Sequence, residues 1–168
     1  MSNLKTVYLV VDDFEVMRQV TAGQLRTLGV ETVLTATNGI DALRILRREH
    51  VDLVMSDLSM PVMSGLELLK AIRSDERLCR LPFIMKLPLK NDRKLIQEVI
   101  NAGANDLLFK PYTPQRLSTH IQKVMALQKL RANQFQAQAV LKARRPTELL
   151  RQPCHLARPC TRTCAPVS

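Results

Sequence analysis

Three carboxylates and one ammonium stand out in this chain by where they fall. Asp12 and Asp13 follow the apolar run KTVYLVV of residues 5–11, Asp57 closes a second run with Ser56, and Lys110-Pro111 follows a third that ends at Phe109. Carboxylates packed together repel one another unless a cation compensates, and hard oxygen ligands that leave positions open to water suit Mg²⁺. Such a group binds a metal ion and phosphoryl groups. Strand-end aspartates also cap the helices that follow them. Capping alone is a poor account here, because three strand ends would have to adopt it independently.

The elements that must carry these residues are legible as alternating patterns. Apolar, β-branched-rich runs at 5–11, 30–36, 51–56, 81–86 and 106–109 read as strands. Between them, segments at about 15–28, 38–49, 64–74 and 91–102 space their apolar residues as amphipathic helices do, with Ile40, Leu43 and Leu46 in the second and Leu95, Ile96, Val99 and Ile100 in the fourth. Thr113-Pro114 supplies a cap followed by proline at the first helical position. From there a fifth helix is predicted to run without a break to Arg145, stopped by Pro146. Five βα units with right-handed crossovers give a doubly wound (βα)5 parallel sheet, flavodoxin-like in class, with an extended C-terminal helix. In an open sheet of this kind ligands bind at the carboxyl ends of the strands, where the acids and the lysine fall.

Composition narrows the function classes. The chain has 168 residues, 46% hydrophobic and 24% charged, which excludes a collagen-like or wholly disordered protein. The net charge of +10 is uneven: residues 1–125 carry +3 and residues 126–168 carry +7. With aromatics at 4% and no tryptophan, there is no stacking platform for single-stranded nucleic acid. Apolar runs are too short to span a membrane, and Asp12-Asp13 interrupts the first before a signal-peptide core forms, so the expected address is the cytoplasm. Cys154, Cys160 and Cys164 crowd the tail without a CxxC pair, and Cys79 stands alone in the main body. The expected division is a domain over 1–128, a helical extension over 129–145, and a basic tail over 146–168 whose prolines and low apolar content predict disorder. Leu127, Leu130, Gln134, Ala137 and Leu141 follow a 3,4,3,4 spacing that suits either a short coiled-coil seam, and hence a homodimer, or a solvated extension.

Several dispersed motifs now converge. Asp12-Asp13 after the first strand, Asp57-Leu58-Ser59-Met60-Pro61 with Gly65 after the third, Ala102-Gly103-Ala104 before the fifth and Lys110-Pro111 after it resemble the response-regulator receiver domain of two-component signalling. The resemblance covers residues 4–128, with the segment order of single-domain, CheY-like receivers. It implies that Asp57 accepts a phosphoryl group from a histidine kinase or phosphotransfer protein. It further implies that Asp13 ligates Mg²⁺ directly, Asp12 directly or through water, and Ser59 through its backbone carbonyl. Lys110 would pair with a phosphoryl oxygen, and a cis peptide before Pro111 would aim its ammonium inward. Met60 and Pro61 would shape the loop and Gly65 would begin the third helix. The module would act through contacts with a downstream protein target rather than as an enzyme on other substrates.

Two positions depart from the family pattern. The fourth strand usually ends in a Ser or Thr whose hydroxyl grips the phosphoryl group, and here Leu87 or, by the alternative count from Gly103, Pro88 stands there. The aromatic that usually swings with that hydroxyl, three residues before the lysine, is Leu107. Strand alternation is expected to turn Lys86 away from the site if Leu87 faces it. Competing readings are a pseudo-receiver scaffold that signals without phosphorylation and a nucleic-acid binder using the basic tail, the latter resting on charge alone. A haloacid-dehalogenase-like phosphatase would need an Asp-x-Asp pair at the first strand, which adjacent Asp12-Asp13 does not provide.

Overall fold

The computed structural model describes residues 6–90 and 92–143. Five strands alternate with five helices: β1 (Val7–Val11), α1 (Glu15–Thr27), β2 (Thr32–Ala36), α2 (Gly39–Arg48), β3 (Leu53–Asp57), α3 (Gly65–Ser74), β4 (Phe83–Pro88), α4 (Arg93–Asn101), β5 (Asp106–Lys110) and α5 (Pro114–Ala143). The strands form one sheet in the order β2-β1-β3-β4-β5, every pair parallel. This is the doubly wound, flavodoxin-like arrangement the alternation predicts. The chain divides into two compact units, Met1–Lys129 and Leu130–Ser168. Of the second, the described part, residues 130–143, lies within α5, whereas the predicted tail over 146–168 with its three cysteines lies outside the described residues.

Strand side chains alternate between two apolar layers. Leu9, Val11, Val54, Phe83, Met85 and Leu87 pack with α2, α3 and α4 on one face. Tyr8, Val10, Leu53, Met55, Ile84 and Leu108 pack with α1 and α5 on the other, where Leu117, Ile121 and Val124 form the core face of α5. Both faces of β3 and β4 are therefore covered, which is why these strands read as unbroken apolar runs.

Strands β2, β3 and β4 each begin two residues later than the apolar runs suggest. Val30, Val51 and Leu81 are at least half buried, yet they belong to the connections that enter the sheet and not to its ladder. Ladder pairing begins where a neighbouring strand is present, as with Thr32 opposite Val7. The end of α3 is tied to these entry loops by Arg73, whose guanidinium donates to the carbonyls of Gly103 and Leu81 and to Asn105 Oδ1. The same Asn105 oxygen accepts the Phe83 N–H at 2.9 Å, holding the starts of β4 and β5 together.

Candidate functional site

Parallel strands ending at one edge deliver their last residues to a common place. Asp12 follows β1, Asp57 ends β3 and Lys110 ends β5, and one carboxylate oxygen from each of Asp12, Asp13 and Asp57 lies within 4.8 Å of the others. Asp57 is buried, and its Oδ1 accepts from Lys110 Nζ at 2.8 Å. Burial disfavours the Lys110 ammonium, but the Asp57 hydrogen bond and the charges of Asp57 and Asp12 outweigh it and raise the lysine pKa above its ordinary value. The peptide bond Lys110-Pro111 is cis. Tyr112, next along, donates to or accepts from Thr21 Oγ1 at 2.9 Å, tying the end of β5 to α1, and burial pushes its phenol pKa up.

Asp12 sits deepest of the three acids. Its Oδ1 accepts the Phe14 N–H at 3.0 Å, an Asx turn that leads the chain into α1. Its Oδ2 pairs with Lys86 Nζ at 2.6 Å and lies 3.6 Å from Lys110 Nζ. Lys86 is wholly buried; burial drives its pKa below the ordinary lysine range, and Asp12 opposes that shift.

The expectation that alternation turns Lys86 away from the acids is not met, and the reason is parity. Lys86 shares its face with Ile84, Val10 and Tyr8, which is also the side on which Asp12 lies, whereas Leu87 points into the layer of α2, α3 and α4. Leu87 is fully buried there, and Leu107 is half buried against the same layer. Residues 81–88 contained the signal: a lysine inside an otherwise apolar strand demands a carboxylate partner, and Asp12 is the strand-end acid of matching parity.

The loop from β3 to α3 frames the site. Ser59 lies exposed on it, and a cleft of about 490 Å³ is lined by Asp13, Ser59, Met60 and Pro61. Gly65 opens α3 with its N–H on the Leu58 carbonyl at 2.9 Å, and a methyl there would overlap the Asp57 carbonyl oxygen, so the close approach requires glycine. Ser64 and Glu67 form a capping box, and hydrogen bonds from the Ser64 backbone and side chain hold the Glu67 carboxyl below its ordinary pKa. Just before them Val62 adopts φ 70° in a tight turn closed by the Met63 N–H on the Pro61 carbonyl. A further depression of about 460 Å³, with Arg47, Arg48, Arg77 and Arg80 on its walls, opens where the strands begin, away from the acids.

Asp12, Asp13 and Asp57 together present oxygen atoms that could hold a hard divalent ion, Asp12 with a donor already on each oxygen and Asp57 with Lys110 on one of its own. The oxygen donor set thus fits Mg²⁺.

The model of the response regulator receiver domain family matches residues 8–122. Chemotaxis protein CheY of Pseudomonas aeruginosa is 40% identical over 116 residues, covering 69% of this chain and 93% of that protein. Chemotaxis protein CheY-3 of Vibrio cholerae is 39% identical over 116 residues, covering 69% of this chain and 88% of the relative. Among solved structures, Vibrio cholerae CheY4 superposes with a TM-score of 0.66 at 34% identity over 71% of this chain and 98% of that one.

Proposed function

This chain belongs to the response-regulator receiver family, and from that membership we propose that it is a phosphoacceptor module in which Asp57 takes a phosphoryl group from a histidine kinase or phosphotransfer protein. The family places it in two-component signalling, with a receiver of the CheY-like kind. The observation that carries the finer reading is the pairing of Asp57 with Lys110 at 2.8 Å beside a second carboxylate, Asp13. In the reaction an Asp57 oxygen forms a bond to phosphorus while the bond from phosphorus to the donor nitrogen or oxygen breaks, and the leaving group keeps that electron pair. Lys110, fixed at the strand end, offsets charge on Asp57 and on the phosphoryl oxygens. A divalent ion on Asp13 and Asp57, with the Ser59 carbonyl as a further ligand, would supply the remaining positive charge. The same residues would later release phosphate to water, and the partners we infer are the phosphodonor protein and a downstream protein target, met in the cytoplasm.

Leu87 and Leu107 shape how the signal leaves the site. Neither side chain offers a hydroxyl to a phosphoryl group or an aromatic ring to move, and both pack against the α2, α3 and α4 layer. The proposed output is therefore a local change in the loops around Asp57 and Ser59, read there by the partner.

Intact-protein mass spectrometry tests the assignment. With acetyl phosphate and Mg²⁺ the protein is expected to gain one phosphoryl group, and Asp57→Asn to gain none. Uptake that is absent in the wild type or unchanged in Asp57→Asn would refute the reading.

A further inference from the structure

Among the described residues three charged side chains are buried: Asp12, Asp57 and Lys86. The phosphoryl chemistry uses Asp57 and leaves Lys86 without a task. Its ammonium reaches Asp12 from β4 at 2.6 Å, on the oxygen that Lys110 also approaches at 3.6 Å. The remaining Asp12 oxygen accepts the Phe14 N–H. Each Asp12 oxygen thus carries a donor, and Oδ2 carries a charged one. A metal ion ligated at Asp12 Oδ2 would share that oxygen with a buried ammonium, cation against cation. Charge counting leads the same way: three carboxylates facing Lys110 alone leave two negative charges, and facing Lys110 and Lys86 they leave one.

We propose that Lys86 is a resident cation standing at Asp12 in the place a divalent ion would otherwise share, so that Mg²⁺ is held through Asp13 and Asp57 without Asp12 and is held weakly. The proposal rests on the receiver reading and deepens it: Lys86 is a positioning residue that keeps Asp12, and with it the start of α1, in place whether or not metal is bound. The site then tolerates metal-free conditions, with Mg²⁺ called on for phosphoryl transfer and not for holding the acids together.

Calorimetric titration of Mg²⁺ into the full-length wild type and Lys86→Met tests this. Removing the ammonium frees an Asp12 oxygen and raises the local negative charge, so the variant should bind Mg²⁺ ~10-fold more tightly, a change worth about 1.4 kcal/mol. Added Mg²⁺ should also raise the variant's Tm by more than it raises that of the wild type. Lys86→Gln, which keeps a donor for Asp12 without the charge, should behave likewise. Unchanged or weaker Mg²⁺ binding in a folded variant overturns the proposal. A measurement on the wild type stands apart from folding of the variants: on saturation with Mg²⁺ the Asp13 and Asp57 carboxyl ¹³C signals should shift while that of Asp12 stays within the shift shown by remote carboxyls. A shift of Asp12 as large as that of Asp13 overturns it. Phosphoryl uptake at Asp57 is scored separately, so its absence defeats the receiver reading, and its presence with equal Mg²⁺ affinities defeats only the role of Lys86.

Discussion

Two lysine–aspartate pairs stand side by side at the carboxyl edge of the sheet, and they differ in access to water. In the pair of β3 and β5, Lys110 keeps 22% of its side-chain surface exposed and Asp57 12%; in the pair of β1 and β4, Lys86 and Asp12 keep 0% and 1%. The first keeps some access to solvent, as the proposed phosphoryl chemistry requires, and the second is sealed. Burial thus divides identical chemistry into the pair proposed to react and a holding pair. Desolvation makes a sealed pair costly to break from one side, whereas a partly wet pair loses little when one partner goes.

That contrast predicts opposite outcomes for the two lysines. Lys86→Ala takes from the buried Asp12 its close cation and leaves it only the more distant Lys110 at 3.6 Å, which should cost up to about 3 to 5 kcal/mol of stability and appear as a lower urea midpoint. Lys110→Ala removes a partly exposed cation and should cost less stability than Lys86→Ala, yet slow phosphoryl uptake from acetyl phosphate by roughly 10²- to 10³-fold, because the charge developing at Asp57 loses its fixed cation. Comparable stability losses in the two variants would erase the distinction between the pairs.

A smaller effect sharpens the picture of the reacting pair. Gly65→Ala puts a methyl against the Asp57 carbonyl oxygen, and because that atom is backbone the loop must move. The expected cost is about 1 to 3 kcal/mol, with uptake at Asp57 slowed and Lys86–Asp12 untouched, as NMR signals of the two lysines would report. The smallest effect concerns the loop's other anchor. Glu67 has its pKa lowered by the Ser64 bonds, so its contribution is present above its ordinary value of 4.5 and is lost as pH falls through the depressed folded value. Glu67→Gln should accordingly melt slightly below the wild type at neutral pH, and the gap should close in acid.

The fold was legible because the strands end in charge. Each apolar run that stops at Asp12, Asp57 or Lys110 marks a carboxyl edge, and the helices between show their own period. Strand starts were less legible, since Val30, Val51 and Leu81 are apolar for packing reasons unrelated to the ladder. The acids and Lys110 could be grouped from topology alone, as ends of neighbouring parallel strands. Lys86 could not be placed by the family pattern, which directs attention to Leu87; placing it needed the parity of β4 relative to β1, a relation between strands far apart in the chain. The side chains of Ala137 and Leu141, and with them much of the predicted seam, lie outside the described residues, while Leu127 and Leu130 are exposed.

The parity of Lys86 also bears on misfolded alternatives. Residues 83–88 read FIMKLP, and apart from the lysine either face of this strand would suit an apolar layer. If β4 slipped by one residue against β3, every side chain would change faces, and the ammonium would enter the layer of Leu9, Val54 and Leu69 with no carboxylate there to meet it. Slippage by two would keep the face but carry the ammonium along the strand by roughly 6.6 Å, away from Asp12. A single buried charge therefore acts as a key for strand alignment: of the registers open to a greasy six-residue strand, it admits the one in which Lys86 meets Asp12.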